Sequence, residues 1–364
     1  SKAGKSFLLL ELCVAIAEGR EWLGWQCAQG RVLYVNLELD RASCYHRVKD
    51  VYRAIGILPR NAGNIDMWHL RGKAMGMDNL APRLIRRAVK RKYSAVVIDP
   101  IYKVITGDEN AADQMAKFCN QFDRVASELG CAVIYCHHHS KGDQGQKRAQ
   151  DRASGSGVFA RDPDALIDMI ELEIDDKRRE QILNRWSCDA ISRTMDQRSP
   201  GWRERISQDD ALVAEKLVPL AVETLGQSEA LRISSESETR AEQATGWRIG
   251  GILREFPAFK PRNVFFCYPV HPVDHWDLLA DARADGELPQ RKSQKETNAE
   301  NLEIKNAETR MIVEELFEKK SIVEVGDVAS ELGIALRATR DRLKDAGIKH
   351  KRGFVMNPNG SSGR

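Results

Sequence analysis

The chain has 364 residues, 42% of them hydrophobic and 30% charged, with a formal net charge of +3. No apolar run approaches the roughly 18 residues that cross a bilayer and no signal-peptide pattern opens the chain, so the reading is a soluble, cytoplasmic protein with no membrane partner. A charge this close to neutral announces no nucleic-acid partner by itself, and any basic surface must be local.

The length accommodates a core domain of about 250 residues and a smaller one. Eight cysteines lie scattered without a C-x-x-C pair, several in apolar runs where a thiol behaves as a small hydrophobe, which fits reduced cysteines.

Residues 1–6, SKAGKS, have no Met before them and carry the second half of the phosphate-loop pattern G-x-x-x-x-G-K-[ST]. The first Gly of that pattern, and the strand leading into it, are expected upstream of Ser1, so the chain is expected to bind ATP poorly until that segment is restored. Ala3, Gly4, Lys5, Ser6 and Phe7 would line the phosphates at a helix N-terminus. Lys5 would reach the β- and γ-phosphates and the Ser6 hydroxyl would ligate magnesium.

From residue 7 helix and strand alternate. FLLLELCVAIAEG (7–19) has helical length, and RVLYVNLEL (31–39) is a short β-rich run. RASCYHRVKDVYRAIGI (41–57) is helical, IDMWHL (65–70) a strand, and NLAPRLIRRAVKRKY (79–93) an amphipathic helix. SAVVIDP (94–100) is an apolar strand ending on Asp99, where a phosphate-loop enzyme needs a carboxylate beside the magnesium. A helix around 110–129 leads to CAVIYCHHH (131–139), and ALIDMIELEI (165–174) closes the series. Strands apolar on both faces, alternating with helices, predict an α/β fold with a mainly parallel central sheet.

Glu38 ends the strand after the first helix, in the position that one large phosphate-loop class gives to the carboxylate that orients and deprotonates the attacking water; Asp40 competes two residues on. CHHHSKG (136–142) offers one Cys and three His in a row, but consecutive strand side chains point to opposite faces, which argues against zinc. One His there could sense the γ-phosphate, and Lys141 could reach a neighbour's nucleotide or DNA. A Gly/Ser-rich loop (146–164) carries Arg148, Arg152 and Arg161, and Arg152 or Arg161 is the candidate for a finger donated in trans.

Residues 176–246 are polar and helix-biased and read as an insertion, after which 247–256 and 263–270 read as a strand pair of the same core. That core is expected over 1–278, with a polar linker over 279–301. Three helix-like segments (306–320, 323–333, 335–347) and a wing (348–358) have the spacing of a winged helix-turn-helix over 302–358, followed by a tail at 359–364. In ALRATRDRLKD, Leu336, Thr339 and Leu343 share one face and leave Arg337, Arg342 and Lys344 outward. With Lys349, His350, Lys351 and Arg352 these cations would bind DNA phosphates, the alternative being a winged helix used for protein contacts.

AGKS (3–6), VLYVNLELDRAS (32–43), AVVIDP (95–100), VIYCHHHSKG (133–142) and RASGSGVFARDPDALIDM (152–169) together resemble the RecA-like P-loop ATPases of the RepA type, hexameric replicative helicases of plasmids and mobile elements. The resemblance spans about residues 1–175. It implies ATP and Mg2+ bound between subunits of a homo-oligomer, Glu38 as the catalytic carboxylate, His138 as the sensor, and single-stranded DNA through the ring. The chain departs from the pattern where Pro100, not a second acid, follows Asp99. Two other readings stay open, an ATP-switched DNA-binding regulator or initiator and a RecA-type recombination or repair ATPase.

Overall fold

The computed structural model describes residues 4–73, 75–108, 111–137, 158, 162–284, 287 and 294–357. The chain divides into two compact units, Ser1–Leu288 and Pro289–Arg364.

In the first unit, α1 (Lys5–Glu18) is followed by a small hairpin, β1 (Glu21–Trp22) and β2 (Trp25–Gln26), and then by the strands of a parallel sheet. These are β3 (Arg31–Asn36), β4 (Ile65–His69), β5 (Tyr93–Asp99) and β6 (Ala132–Tyr135), in the order β4-β3-β5-β6. The crossovers are helices: α2 (Arg41–Ile55), α3 (Met77–Ala88) and α4 (Ala112–Leu129). Side chains alternate across a strand, so a sheet covered on both faces needs apolar residues at successive positions. Val32 and Tyr34 of β3 and Ala95 and Val97 of β5 pack with Phe7, Leu10, Cys13, Val14, Val51 and Tyr52 of α1 and α2. Their neighbours Leu33, Val35, Val96 and Ile98 pack with Leu80, Leu84, Met115, Phe118 and Phe122 of α3 and α4.

The strand expected to close the parallel series belongs elsewhere. β7 (Ala165–Leu172) pairs antiparallel with β8 (Thr245–Leu253), Ala165 opposite Leu253 and Leu172 opposite Gly246, and β8 pairs antiparallel with β9 (Arg262–Phe266). An apolar run sets burial but not direction. Direction here follows from three intervening helices, α5 (Asp176–Arg198), α6 (Ala214–Leu225) and α7 (Gln227–Gln243), which return the chain beside the end of β7. These helices occupy the expected polar insertion, yet they enclose a core of their own, with Ile191, Met195, Trp202, Leu217, Ala221 and Ile233 buried together. The Trp202 indole N–H donates to Asp196 Oδ1 at 2.8 Å, satisfying the one polar atom of a buried ring.

The antiparallel sheet is tied to α1 by a buried polar contact. Glu11 accepts from the backbone N–H of His271 at 3.0 Å and from its Nδ1–H at 2.5 Å, and both side chains are buried.

In the second unit, α8 (Gln294–Lys319), α9 (Val325–Leu332) and α10 (Leu336–Asp345) precede a hairpin of β10 (His350–Lys351) and β11 (Phe354–Val355). Val313, Leu316, Val325, Val328, Leu343, Ile348 and Val355 form its core. Two expectations need correction. Residues 294–301, read as linker, form the start of α8, in a stretch free of Gly and Pro. Arg342, read as outward, turns to α8, where it pairs with Glu308 and donates to the Lys305 carbonyl at 3.1 Å. The buried face of α10 carries Thr339 and Leu343 and continues into Ala346 at its C-cap, so Arg342 lies at its border and Leu336, expected inside, is 51% exposed.

His271→Ala leaves the buried Glu11 carboxyl short of a donor and is expected to cost about 3 kcal/mol, which for a unit of this size lowers Tm by roughly 5–10 °C. Arg232→Ala, which removes the pairs of the exposed Arg232 with Glu229 and Glu236 on α7, is expected to cost about 1 kcal/mol or less. Thermal melts of the two variants check the contrast.

Candidate active site

The carboxyl ends of parallel strands, where the chain leaves the sheet for a crossover, form the natural crevice of such a fold. Register places His69, Asn36 and Asp99 side by side at these ends, with Cys136 immediately after β6. Asp99 shares parity with Ala95 and Val97, so its carboxylate points to the α1 face of the sheet. There it is 5% exposed, accepting from the Tyr34 hydroxyl at 2.5 Å and from Cys136 Sγ at 3.2 Å. Burial and the Asp99 carboxylate push the Tyr34 phenol well up. Burial, then Asp99, push the Cys136 thiol up strongly as well. Both groups therefore stay protonated at neutral pH and remain donors.

Lys5 opens α1 on the same face. Burial lowers its pKa, and the neighbouring Asp99 carboxylate opposes that shift. Gly4 precedes it with φ 60°, and a Cβ there would stand 2.5 Å from the Phe266 ring of β9. Both the left-handed backbone and the ring exclude any larger residue. The first N–H groups of a helix have no intrahelical partner, and the first turn of α1 contains no acid, so this terminus favours an anion. The buried Phe7 ring meets Tyr268 edge-on with centroids 5.0 Å apart and lies under the Arg47 guanidinium at 4.9 Å.

Glu38 is exposed two residues beyond β3 and lines a groove of about 490 Å³ with Leu37, Arg71, Gly72 and Lys103. Its loop is fixed by Asn36, which is 2% exposed. Asn36 Oδ1 accepts from the N–H groups of Glu38 at 3.2 Å and Leu39 at 2.9 Å, while Nδ2 donates to the Leu39 carbonyl at 2.8 Å. The same Nδ2 lies 3.1 Å from His69 Nδ1. Since the N–H groups of Glu38 and Leu39 fix which end of the amide is oxygen, His69 Nδ1 must accept, and the imidazole is neutral with its proton on Nε2. Burial, then the Arg41 charge, lower the His69 pKa in keeping with this. Asp40 is committed elsewhere. It caps α2, taking the Ser43 N–H at 3.0 Å and the Ser43 hydroxyl at 2.5 Å, and these bonds lower its pKa.

A family model described as an AAA domain matches residues 1–144. The match supports a P-loop ATPase and its α/β fold, and the matched stretch contains the parallel sheet, α1 and the Lys5–Asp99 face.

Among the sequence-read positions, Gly4, Lys5, Ser6, Phe7 and Asp99 gather around the start of α1, and Glu38 stands at the same sheet edge. Ala3, His138, Lys141, Arg148, Arg152 and Arg161 lie outside the described residues. In the second unit Arg337, Lys344, Lys351 and Arg352 are exposed, and Arg342 is docked on α8. Sequence reasoning missed Tyr34, Asn36, Cys136 and Phe266. Tyr34 and Asn36 carried a signal, as polar side chains in a strand apolar on both faces need a buried partner.

Protonating His69 would set N–H against N–H at Asn36. An unfolded chain takes up a proton near pH 6.5 that the folded His69 resists, so its contribution to stability is complete above about pH 6.5 and is lost as the pH falls below it. Urea denaturation is expected to show a larger loss of stability between pH 7.5 and 5.5 for wild type than for His69→Gln, whose amide oxygen still accepts from Asn36.

Proposed function

We propose that this chain is the ATP-hydrolysing core of a DNA-associated motor of RecA-like architecture, a replicative helicase of a plasmid, phage or integrative element acting as a homo-hexamer. The observation that carries the reading is the buried Asp99 carboxylate facing Lys5 at the opening of α1, beside a Gly4 that has room for no side chain.

These residues suit a magnesium–nucleotide complex. Ser6 and Asp99 supply hard oxygen donors, and among the described residues no cluster of three or more His, Cys, Asp or Glu could cage a metal alone. That suits an ion that prefers to keep its waters and the phosphates as ligands. Magnesium, when bound, neutralises phosphate charge. Asp99, its oxygens oriented by Tyr34 and Cys136, and the Ser6 hydroxyl would hold it. Lys5 places a cation against the terminal phosphates, and the N–H groups of α1 receive the rest.

Glu38 is assigned to orient the attacking water and take its proton, in keeping with a carboxylate that stands beyond the strand end while Asp40 is held in a helix cap. Asn36 acts through Glu38 as a positioning residue. His138 is proposed to sense the γ-phosphate, Arg152 or Arg161 to reach into a neighbouring subunit's site, and Lys141 to contact DNA or that neighbour. The second unit, proposed as a winged helix, would meet duplex DNA through Arg337, Lys344, Lys351 and Arg352.

In the full-length protein, Glu38→Gln is expected to lower ATP turnover by about 100-fold or more while a fluorescent ATP analogue still binds, whereas Lys5→Ala loses that binding. Asn36→Ala is expected to lower kcat and leave the KM for ATP near wild type. ATP-dependent displacement of a strand from a forked duplex, abolished by Glu38→Gln, supports the motor. DNA-stimulated hydrolysis without displacement, with tight site-specific binding by the second unit, would mark an ATP-switched regulator, and filaments in negative stain a recombinase.

A further inference from the structure

The outer face of α3 and the turn that follows it carry a concentration of charge that the nucleotide site does not use. Residues 79–98 contain Arg83, Arg86, Arg87, Lys90, Arg91 and Lys92 and no acid. Of 56 Lys and Arg in the chain six lie here, and the remaining 50 face 53 Asp and Glu, so the rest of the molecule is net negative. All six are exposed. At 3.6 residues per turn, Arg83, Arg86 and Arg87 fall within an arc of about 100° on α3, and Lys90, Arg91 and Lys92 follow just past its C-terminal end.

Local structure accounts for only two of them. Arg91 stands 3.8 Å from Asp66, whose carboxylate is already taken by Arg31 at 2.9 Å and the Tyr93 hydroxyl at 2.7 Å. Arg87 lies over the Trp68 ring at 5.0 Å. Among the described residues Arg83, Arg86, Lys90 and Lys92 make no ion pair or side-chain hydrogen bond. A cation or two in the last turn complements the helix dipole, but like charges three and four apart repel one another. Within α3 the pairs Arg83/Arg86 and Arg83/Arg87 do so.

We propose that this face of α3, with the basic turn after it, binds the phosphate backbone of duplex DNA without reading sequence, at a site separate from the nucleotide site and from the second unit. Duplex DNA presents a charge for every 1.7 Å or so of axis, and four of the six cations are arginines, whose planar forks match phosphate oxygens. An anionic membrane fits less well. The apolar side of α3, with Leu80, Leu84 and Ala88, is spent in the sheet core, leaving only Val89 as a large exposed apolar residue of this stretch.

The test is fluorescence anisotropy of a labelled 30-base-pair duplex with the full chain, without nucleotide, from 50 to 300 mM KCl. The variant Arg83→Glu/Arg86→Glu/Lys90→Glu/Lys92→Glu alters only exposed positions, and a melt confirms that it folds. Its affinity is expected to fall at least 30-fold at 50 mM KCl, and the slope of log K against log salt to flatten by about 3 to 4 units, near 0.9 for each phosphate no longer neutralised. The corresponding Gln variant is expected to lie between it and wild type, and a scrambled duplex to bind wild type equally well. Charge reversal of Arg337 and Lys351 serves as a separate control on the second unit.

Variant binding within threefold of wild type would overturn the proposal, as would wild-type binding to phosphatidylserine vesicles but not to the duplex. Hydrolysis without DNA is expected to be unchanged in the variant, so failure of the ATPase reading and failure of this one are distinct results.

Discussion

A carboxylate at the end of an apolar strand is held where solvent cannot easily reach it, and the first unit is arranged around that fact. Asp99 is placed on the α1 side by strand parity alone, with Ala95 and Val97 below it on the same face. An unpartnered buried carboxylate would be costly, and the Tyr34 hydroxyl and Cys136 thiol offset that cost. Tyr34 lies in β3 and Cys136 directly follows β6, the two strands flanking β5, so the same parallel pairing that builds the sheet also orients the carboxylate.

Asn36 is the corresponding anchor at the end of β3. Its side chain binds Glu38, Leu39 and His69 there, and through these bonds the loop bearing Glu38 inherits the rigidity of the sheet rather than the mobility of a surface turn. His69 completes this arrangement only as a neutral base, which makes its surroundings essential to the loop's support. The exposure of Glu38 and the burial of Asn36 are thus two consequences of one strand end.

Much of this was legible in the residues. The doubly apolar strands announced a covered parallel sheet, and the acid closing SAVVIDP marked the edge where chemistry could sit. GKS gained meaning from that acid, since neither motif alone specifies a site. Less was legible where the decisive partner is distant or the pattern is silent on direction. ALIDMIELEI reads equally well in either orientation, and its pairing with β8 depends on a helical module of some seventy intervening residues. The polar composition of that module concealed the cluster around Trp202, because a few large side chains suffice to close a small core. Arg342 misled for a local reason. Helical spacing located it at the border of a buried face, and only Glu308 on another helix decides which way it turns.

The ring of Phe266 against Gly4 has a consequence for the order of events during synthesis. Gly4, Leu23 and Glu11 find their partners at Phe266, Arg262 and His271, some 240 to 260 residues later in the chain. A ribosome that has released α1 and the whole parallel sheet has therefore not yet supplied the wall against which the first helix rests. Until those late strands emerge, Leu8 of α1 has only Trp22, Leu23 and Trp25 of the adjoining hairpin from its cluster for cover. Long-range closure of this kind is slow and leaves sticky surface behind. Completion of the anion cradle is thus a late step in the life of the nascent chain, and the first unit is a natural client for whatever shields apolar helices on the ribosome.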